Sequence, residues 1–410
     1  MMTENMNSTP AVILWSGHHG GLGIARSLGR LGVSVYCVDV RWGPAFSSRY
    51  CCGHFVRDIE SVSSAQSVPN LLEIGRKLGG RPILIPNTDQ GAIWVSEHSV
   101  ALRTVFRFPC QDATLIRLLC DKSRMQELAS RSGVPTVQSM VPRSKEDVER
   151  FLQTATFPVI VKATDAERLR ARAGGTKFII QSRHELRELY ARAGDCDEPN
   201  LLVQELIPGE DWMFDGYFDR NSKCLFGVTG KKIRRFPVNT GVTSLGVCLR
   251  NETVERVTTA FMKTIGYQGI LDIGYRYDQR DGKYKVLDVN PRIGCTFRLF
   301  TATNGMDVAR ALYMDLTGQR VPLTHAAEGR KWLVEDFDLF STFRSWRDHN
   351  LTMIDWIRSL RGVQEAACFA FDDLLPFLLM PLADCSELYR WIRLQNAIQK
   401  RQVPEISFAA

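Results

Sequence analysis

The sequence predicts an α/β unit with a parallel sheet, then an α+β unit built on antiparallel sheets, then a mostly helical C-terminal piece. Three observations carry this expectation. Short apolar runs alternate with helical patterns over residues 1–110, as in a parallel sheet with its connections on the faces. Over residues 111–324 the strands lengthen and are separated by Gly- and Pro-containing turns. Residues 325–410 are rich in Trp, Phe and Leu and hold no obvious set of reactive side chains. At 410 residues the chain is too long for one compact core and suits two or three packed units.

In the first unit, Ala11–Trp15 is an apolar strand ending in the glycine-rich turn SGHHGGLG. A helical stretch (IARSLGRLG) and a second strand, Ser34–Asp39, follow. A helix around Asn70–Leu78 precedes a third strand, Pro82–Pro86, which opens into NTDQG. In the second unit, a helix over Asp112–Cys120 leads to another over Asp121–Ser130, with Asp121 as its cap. Strands are expected at Pro158–Ala163 and Lys177–Gln181, then a helix whose Ser182 and Glu185 form an S-x-x-E capping box. Leu201–Leu206 is a further strand and runs into IPGEDW. The C-terminal aromatic stripes are expected to pack onto the body, with dimerisation or a membrane surface as alternatives.

Composition narrows the function. Hydrophobic residues make up 44% and charged residues 24%, which fits a folded globular chain rather than a disordered one. The net charge of +7 is spread along the chain and forms no basic tail with interleaved aromatics, which argues against nucleic-acid binding. The 11 cysteines are scattered and include no CxxC pair. With a polar start that lacks a secretory pattern, they suggest reduced thiols and a cytoplasmic protein. The most apolar stretch, Leu374–Ala383, contains two prolines and falls far short of the ~20 residues of a membrane span, so no transmembrane segment is expected.

The segment Gly269–Arg292, GILDIGYRYDQRDGKYKVLDVNPR, reads as two strands joined at Asp281-Gly282. Asp272 and Asp288 are nearly equidistant from that turn and are expected close to opposite one another, with Asn290 beside Asp288 on the same face. Facing carboxylates repel. A divalent cation resolves the conflict, and two carboxylates with one amide oxygen are the hard ligands that suit Mg²⁺ shared with phosphate. Taken alone, two acids on a hairpin are more often a solvated face. The adjoining Arg292, a planar donor for phosphate or a developing tetrahedral anion, shifts the balance toward a metal–phosphate site.

The hairpin ending in LDVNPR resembles the metal-binding end of the ATP-grasp superfamily, and the rest of that pattern occurs upstream in order. Lys122, in CDKSRMQELASRSGVPT, and Lys162, in FPVIVKAT, match the two nucleotide lysines. Gly174-Gly175-Thr176 occupies the place of the glycine-rich phosphate loop, and QELIPGED that of the adenine hinge. The resemblance covers residues 110–320 in detail. It implies a Rossmann-like pre-ATP-grasp domain over 1–110, a two-lobed ATP-grasp domain over 111–324 and a helical extension over 325–410. It also implies ATP and Mg²⁺ (or Mn²⁺) as cofactors, and Asp272, Asp288 and Asn290 as metal ligands. In the hinge, Gln204 would accept the adenine amine, Glu205 and Ile207 would supply backbone contacts, and Asp211, or else Glu210, would hold the ribose.

Among the basic cluster Lys231, Lys232, Arg234 and Arg235, Lys231 is the first choice for the γ-phosphate or substrate carboxylate, and the others read as an exposed strand face. Arg298 is a candidate for the acyl substrate, with a structural role as probable. His18, His19 and Asp89 are weaker candidates for substrate contact. The implied activity is an ATP-dependent carboxylate–amine ligase of the D-aspartate-ligase or D-alanine-ligase kind. It would act on small amino-acid-like carboxylates and amines through an acyl-phosphate, releasing ADP and phosphate, and a homodimer is possible. The alternative is a non-catalytic ATP-binding sensor that retains the same core. A nicotinamide oxidoreductase is disfavoured because the glycines at 17, 20, 21 and 23 do not form G-x-G-x-x-G.

Overall fold

The computed structural model describes residues 8–381 except 18, 60–62, 164–165, 176, 196–198, 239–240 and 348–350. Its contacts gather the chain into two units, residues 1–137 with 207–376, and residues 138–206 with 377–410.

In the first unit a four-stranded parallel sheet runs in the order Cys51–Val56, Val35–Asp39, Ala11–Leu14, Ile83–Pro86. The central strand is apolar at every position because both of its faces are covered. Ala11 and Ile13 pack with Leu22 and Leu28 of the helix His19–Gly29. Val12 and Leu14 face Leu71 and Ile74 of the helix Ser64–Leu78 on the other side. Alternate side chains of one strand thus build two cores.

The same unit holds a seven-stranded sheet in the order Lys283–Asn290, Gly269–Asp278, Asp211–Phe218, Cys224–Phe236, Val242–Cys248, Lys331–Leu333, Val363–Ala366. Its last two strands come from the segment read as a helical extension. Lys331–Leu333 pairs with Leu245–Val247 and buries Trp332, so this segment continues the sheet rather than only leaning on it. At three residues the strand is too short to show alternation in the sequence.

The second unit is a four-stranded antiparallel sheet in the order Ser139–Met140, Leu201–Glu205, Val159–Ala163, Lys177–Ile180. Val159, Val161, Leu201 and Val203 pack with Val148 and Phe151 of the helix Lys145–Thr154 and Leu186 and Leu189 of the helix Arg183–Ala193. Ser182 caps the latter helix by accepting from Glu185 N, as its S-x-x-E pattern predicts. The basic stretch RLRARA, just before Gly174, belongs to the helix Ala166–Ala173. Leu169 is buried in the core, while Arg168 and Arg172 both pair with Asp195. Among the described residues no helix is long and apolar enough to cross a membrane.

Candidate functional site

Within the first unit the hairpin Gly269–Asp278/Lys283–Asn290 gathers the expected acids. Its register pairs Asp272 with Asn290 and Asp288 with Gly274, so the two aspartates are diagonal neighbours rather than opposite ones. An irregularity between Gly274 and Tyr275 lies between them and the turn, and counting residues from the turn misses it. The three side chains still converge. Asn290 Nδ2 donates to Asp272 Oδ2 at 3.2 Å and to Asp288 Oδ2 at 3.3 Å.

Two glycines leave room for these carboxylates. A Cβ on Gly274 would lie 2.5 Å from Asp288 Oδ1, and one on Gly294 would lie 2.5 Å from Asp272 Oδ2. The donor set fits a hard divalent cation. The carboxylate oxygens are already directed at one amide, and a half-turn of that amide would present its oxygen in place of its NH₂ group.

The electrostatics fit the same role. Burial pushes the Asp272 carboxyl up to about 6; Arg292 opposes this, Asp288 adds to it, and Lys232 and Asn290 counter it. Arg292 lies 3.7 Å from Asp272, and its Nε donates to Asp89 Oδ1 at 2.8 Å. Burial alone would lower the guanidinium pKa, but Asp89 and Asp272 outweigh it and hold the cation firmly. Asp89, a weaker candidate in the sequence, is thereby tied to the metal-motif arginine.

The other expected nucleotide residues are placed as follows. Lys122 is exposed at the start of the helix Lys122–Arg131, which Asp121 caps by accepting from Ser123 N and Arg124 N. In the second unit, Lys162 Nζ donates to Gln204 Oε1 at 2.6 Å, so the oxygen expected to meet adenine already holds a lysine. Gln204 Nε2 is buried without a hydrogen-bond partner among the described residues. Glu205 N–H donates to Gln138 O at 2.9 Å. In the first unit, the Ile207 carbonyl accepts from Arg276 Nε at 2.9 Å. Gly174 takes φ +77° and ends the helix Ala166–Ala173 by donating to Arg170 O at 2.8 Å, while Gly175 lies beside Phe178. Thr176 and His18 lie outside the described residues.

No protein-family model matches the chain. It is 27% identical over 245 residues to a D-aspartate ligase of Enterococcus faecium, a match covering 57% of this chain and 58% of that one. It is also 27% identical over 228 residues to a carbamoyl phosphate synthase large chain of Thermomicrobium roseum, covering 53% and 21% of the two chains. The chain thus matches less than two thirds of the length of these relatives. Among solved structures, an N5-carboxyaminoimidazole synthetase of Staphylococcus aureus complexed with ADP superposes with a TM-score of 0.60 at 14% identity, covering 80% and 82%. A biotin carboxylase domain of Hydrogenobacter thermophilus with MgADP gives 0.59 at 17%, covering 78% and 72%.

These likenesses show the fold of the ATP-grasp superfamily and agree with the resemblance of the motifs. Four features of the site depart from expectation. Lys231 is ion-paired with Glu210, whereas Lys232 is the lysine whose charge reaches Asp272. Asp211 is buried between Arg276 and Arg235, the latter at 2.9 Å, which leaves Glu210 as the more exposed acid of the pair. Arg298, the candidate for the acyl substrate, is occupied by acids of the chain itself. It is buried and clamped by Glu365, at 2.8 and 2.7 Å, and by Asp307. Finally, Asp215 stands opposite Asp272 in the adjacent strand, fully buried, with neither oxygen hydrogen-bonded among the described residues. Burial, then Asp272 and Asp307, raise its pKa well above the usual carboxylate range and favour the neutral form. An aspartate inside the apolar run WMFDGYF was its only sequence signal.

His19 packs against Trp332 and Phe337, with both ring centroids at 5.8 Å. Asn87 Oδ1 and Ser16 Oγ, at the end of the same parallel sheet, are buried without hydrogen-bond partners among the described residues.

Proposed function

We propose that the chain is an ATP-dependent ligase that joins a small carboxylate to an amine, with release of ADP and phosphate. The observation that carries this reading is the convergence of Asp272, Asp288 and Asn290 beside the partly buried Arg292. The D-aspartate ligase likeness supports a carboxylate–amine pair of amino-acid type.

Asp272, Asp288 and Asn290 would hold Mg²⁺, which supplies charge neutralisation at the ATP phosphates. Lys122 and Lys162 are the nucleotide cations, and Glu210 is the acid for the ribose. Lys232, rather than Lys231, adds positive charge beside the metal ligands. The substrate carboxylate attacks the γ-phosphorus, the bond to the β-phosphate oxygen breaks, and ADP leaves. The amine then attacks the acyl carbon and expels phosphate, losing a proton. Both steps need positioning and charge more than a protein nucleophile. Arg292, fixed by Asp89, would steady the anion that develops in each.

Calorimetric titration of Mg·ATP into wild-type and Asp288→Ala protein tests this reading. The variant should keep its thermal melt and lose both Mg²⁺-dependent binding and ATP turnover. Normal turnover in a well-folded Asp288→Ala protein would overturn it.

A further inference from the structure

The helix Glu335–Arg347 is amphipathic in the reverse sense. Its buried residues are Asp338, Ser341, Thr342 and Ser345, at helical spacing on one face. Leu339, Phe340, Phe343 and Trp346 are each more than half exposed, with Phe340 resting part of its ring near Phe236, centroids 5.8 Å apart. The polar face is held inward by specific partners. Asp338 accepts from Arg234 Nε and a second guanidinium nitrogen at 2.8 Å each, and from Trp356 Nε1 at 2.9 Å. Ser341 Oγ donates to Arg235 O at 2.7 Å. These bonds fix the orientation, so the apolar face cannot turn inward without stranding a buried carboxylate and Arg234.

The next helix, Met353–Leu360, is tied to the same aspartate through Trp356 and buries no residue fully. Its Met353, Ile354 and Ile357 are each at least half exposed. Such a concentration of outward aromatic and aliphatic side chains marks an interaction surface. The ionisable residues exposed on this segment, among those described, are Arg344, Arg347, Arg358, Arg361 and Asp355, the last 3.7 Å from Arg358.

We propose that these two helices dock the protein on an anionic lipid surface, with the apolar side chains entering the headgroup boundary and the arginines meeting lipid phosphates. Aromatic and aliphatic side chains flanked by arginines are the composition that such a boundary takes. A second copy fits less well, because a twofold contact would set each arginine-rich rim against its equivalent with few acids between them.

Flotation of the full-length protein with vesicles of pure phosphatidylcholine, or with phosphatidylglycerol added, tests the proposal. The protein should float with the anionic vesicles about tenfold more than with neutral ones, and less at high salt. The double variant Phe343→Ser/Trp346→Ser should lose that binding while its thermal melt is unchanged, since both side chains face outward. Arg358→Glu/Arg361→Glu should weaken binding to anionic vesicles alone. Absence of flotation, or flotation unaffected by both double variants, overturns the proposal. So does a concentration-dependent dimer that Phe343→Ser/Trp346→Ser dissolves, which would assign the face to a second copy.

Discussion

Substituting Gly274 with alanine perturbs the proposed metal site without removing any of its proposed ligands. The added Cβ would lie 2.5 Å from Asp288 Oδ1, where ordinary contact begins at 3.4 Å. The carboxylate must therefore retreat by about 0.9 Å or rotate away from Asn290, and a displacement near 1 Å at a reacting centre costs about 10²-fold in rate. Gly274 lies within a strand at ordinary φ, and alanine is compatible with that backbone, so the fold should survive. Phosphate release should fall about a hundredfold, with a raised Mg²⁺ requirement and a melting temperature within a few degrees of wild type. Wild-type turnover and Mg²⁺ dependence in Gly274→Ala would refute the reasoning, because Asp288 would then be dispensable or elsewhere in the working enzyme.

Three further outcomes are expected. Arg298→Met keeps side-chain volume but removes the ion pair of the buried Asp307, which keeps only its bonds from Ser27 and Arg310 N, and weakens the hold on Glu365, so urea unfolding should show a loss of about 3 kcal/mol or more, and a loss below about 1 would contradict the clamp. Asp278 is held well below the usual carboxylate range by Arg280 and then Lys285, against a burial penalty. Its stabilisation is complete above the unfolded carboxylate value and is lost as pH falls through the folded one, so the melting-temperature gap between wild type and Asp278→Asn should narrow below about pH 4. The Cys51 thiol is lowered to about 7, chiefly by its hydrogen bond with Cys37. Cys51 should be the first cysteine that iodoacetamide labels at pH 7.5, as mapped by mass spectrometry, and Cys37→Ala should slow it.

The convergence of Asp272, Asp288 and Asn290 was legible because they ride on one hairpin, where the sequence separation is short and side chains alternate. The remaining placements depend on partners that the sequence does not put together. Arg298 is claimed by Glu365, 67 residues away, and Asp338 by Arg234, 104 residues away. No local pattern distinguishes such an arginine from one that meets substrate, nor such an aspartate from one on a solvated helix face. The choice between Lys231 and Lys232 turned on which face of the strand meets Glu210, and on an irregularity just beyond Lys232. Asp215 was hidden for the same reason, since only the register with a neighbouring strand sets it opposite Asp272. The strands Ala11–Leu14, Val35–Asp39 and Ile83–Pro86 were clear because burial on both faces leaves a nearly continuous apolar run, whereas Cys51–Val56, at the sheet's edge with alternate residues exposed, was not expected. The strand Lys331–Leu333 was not, because it is so short.

The most direct test of the account is product analysis from ATP and Mg²⁺ across paired panels of amino acids and small carboxylates. The account requires ADP and phosphate in equal amounts, released only when an acceptable carboxylate is present, with an amide formed once the amine is added. Release of AMP and pyrophosphate would contradict it, because the carboxylate would then be activated at the α-phosphate.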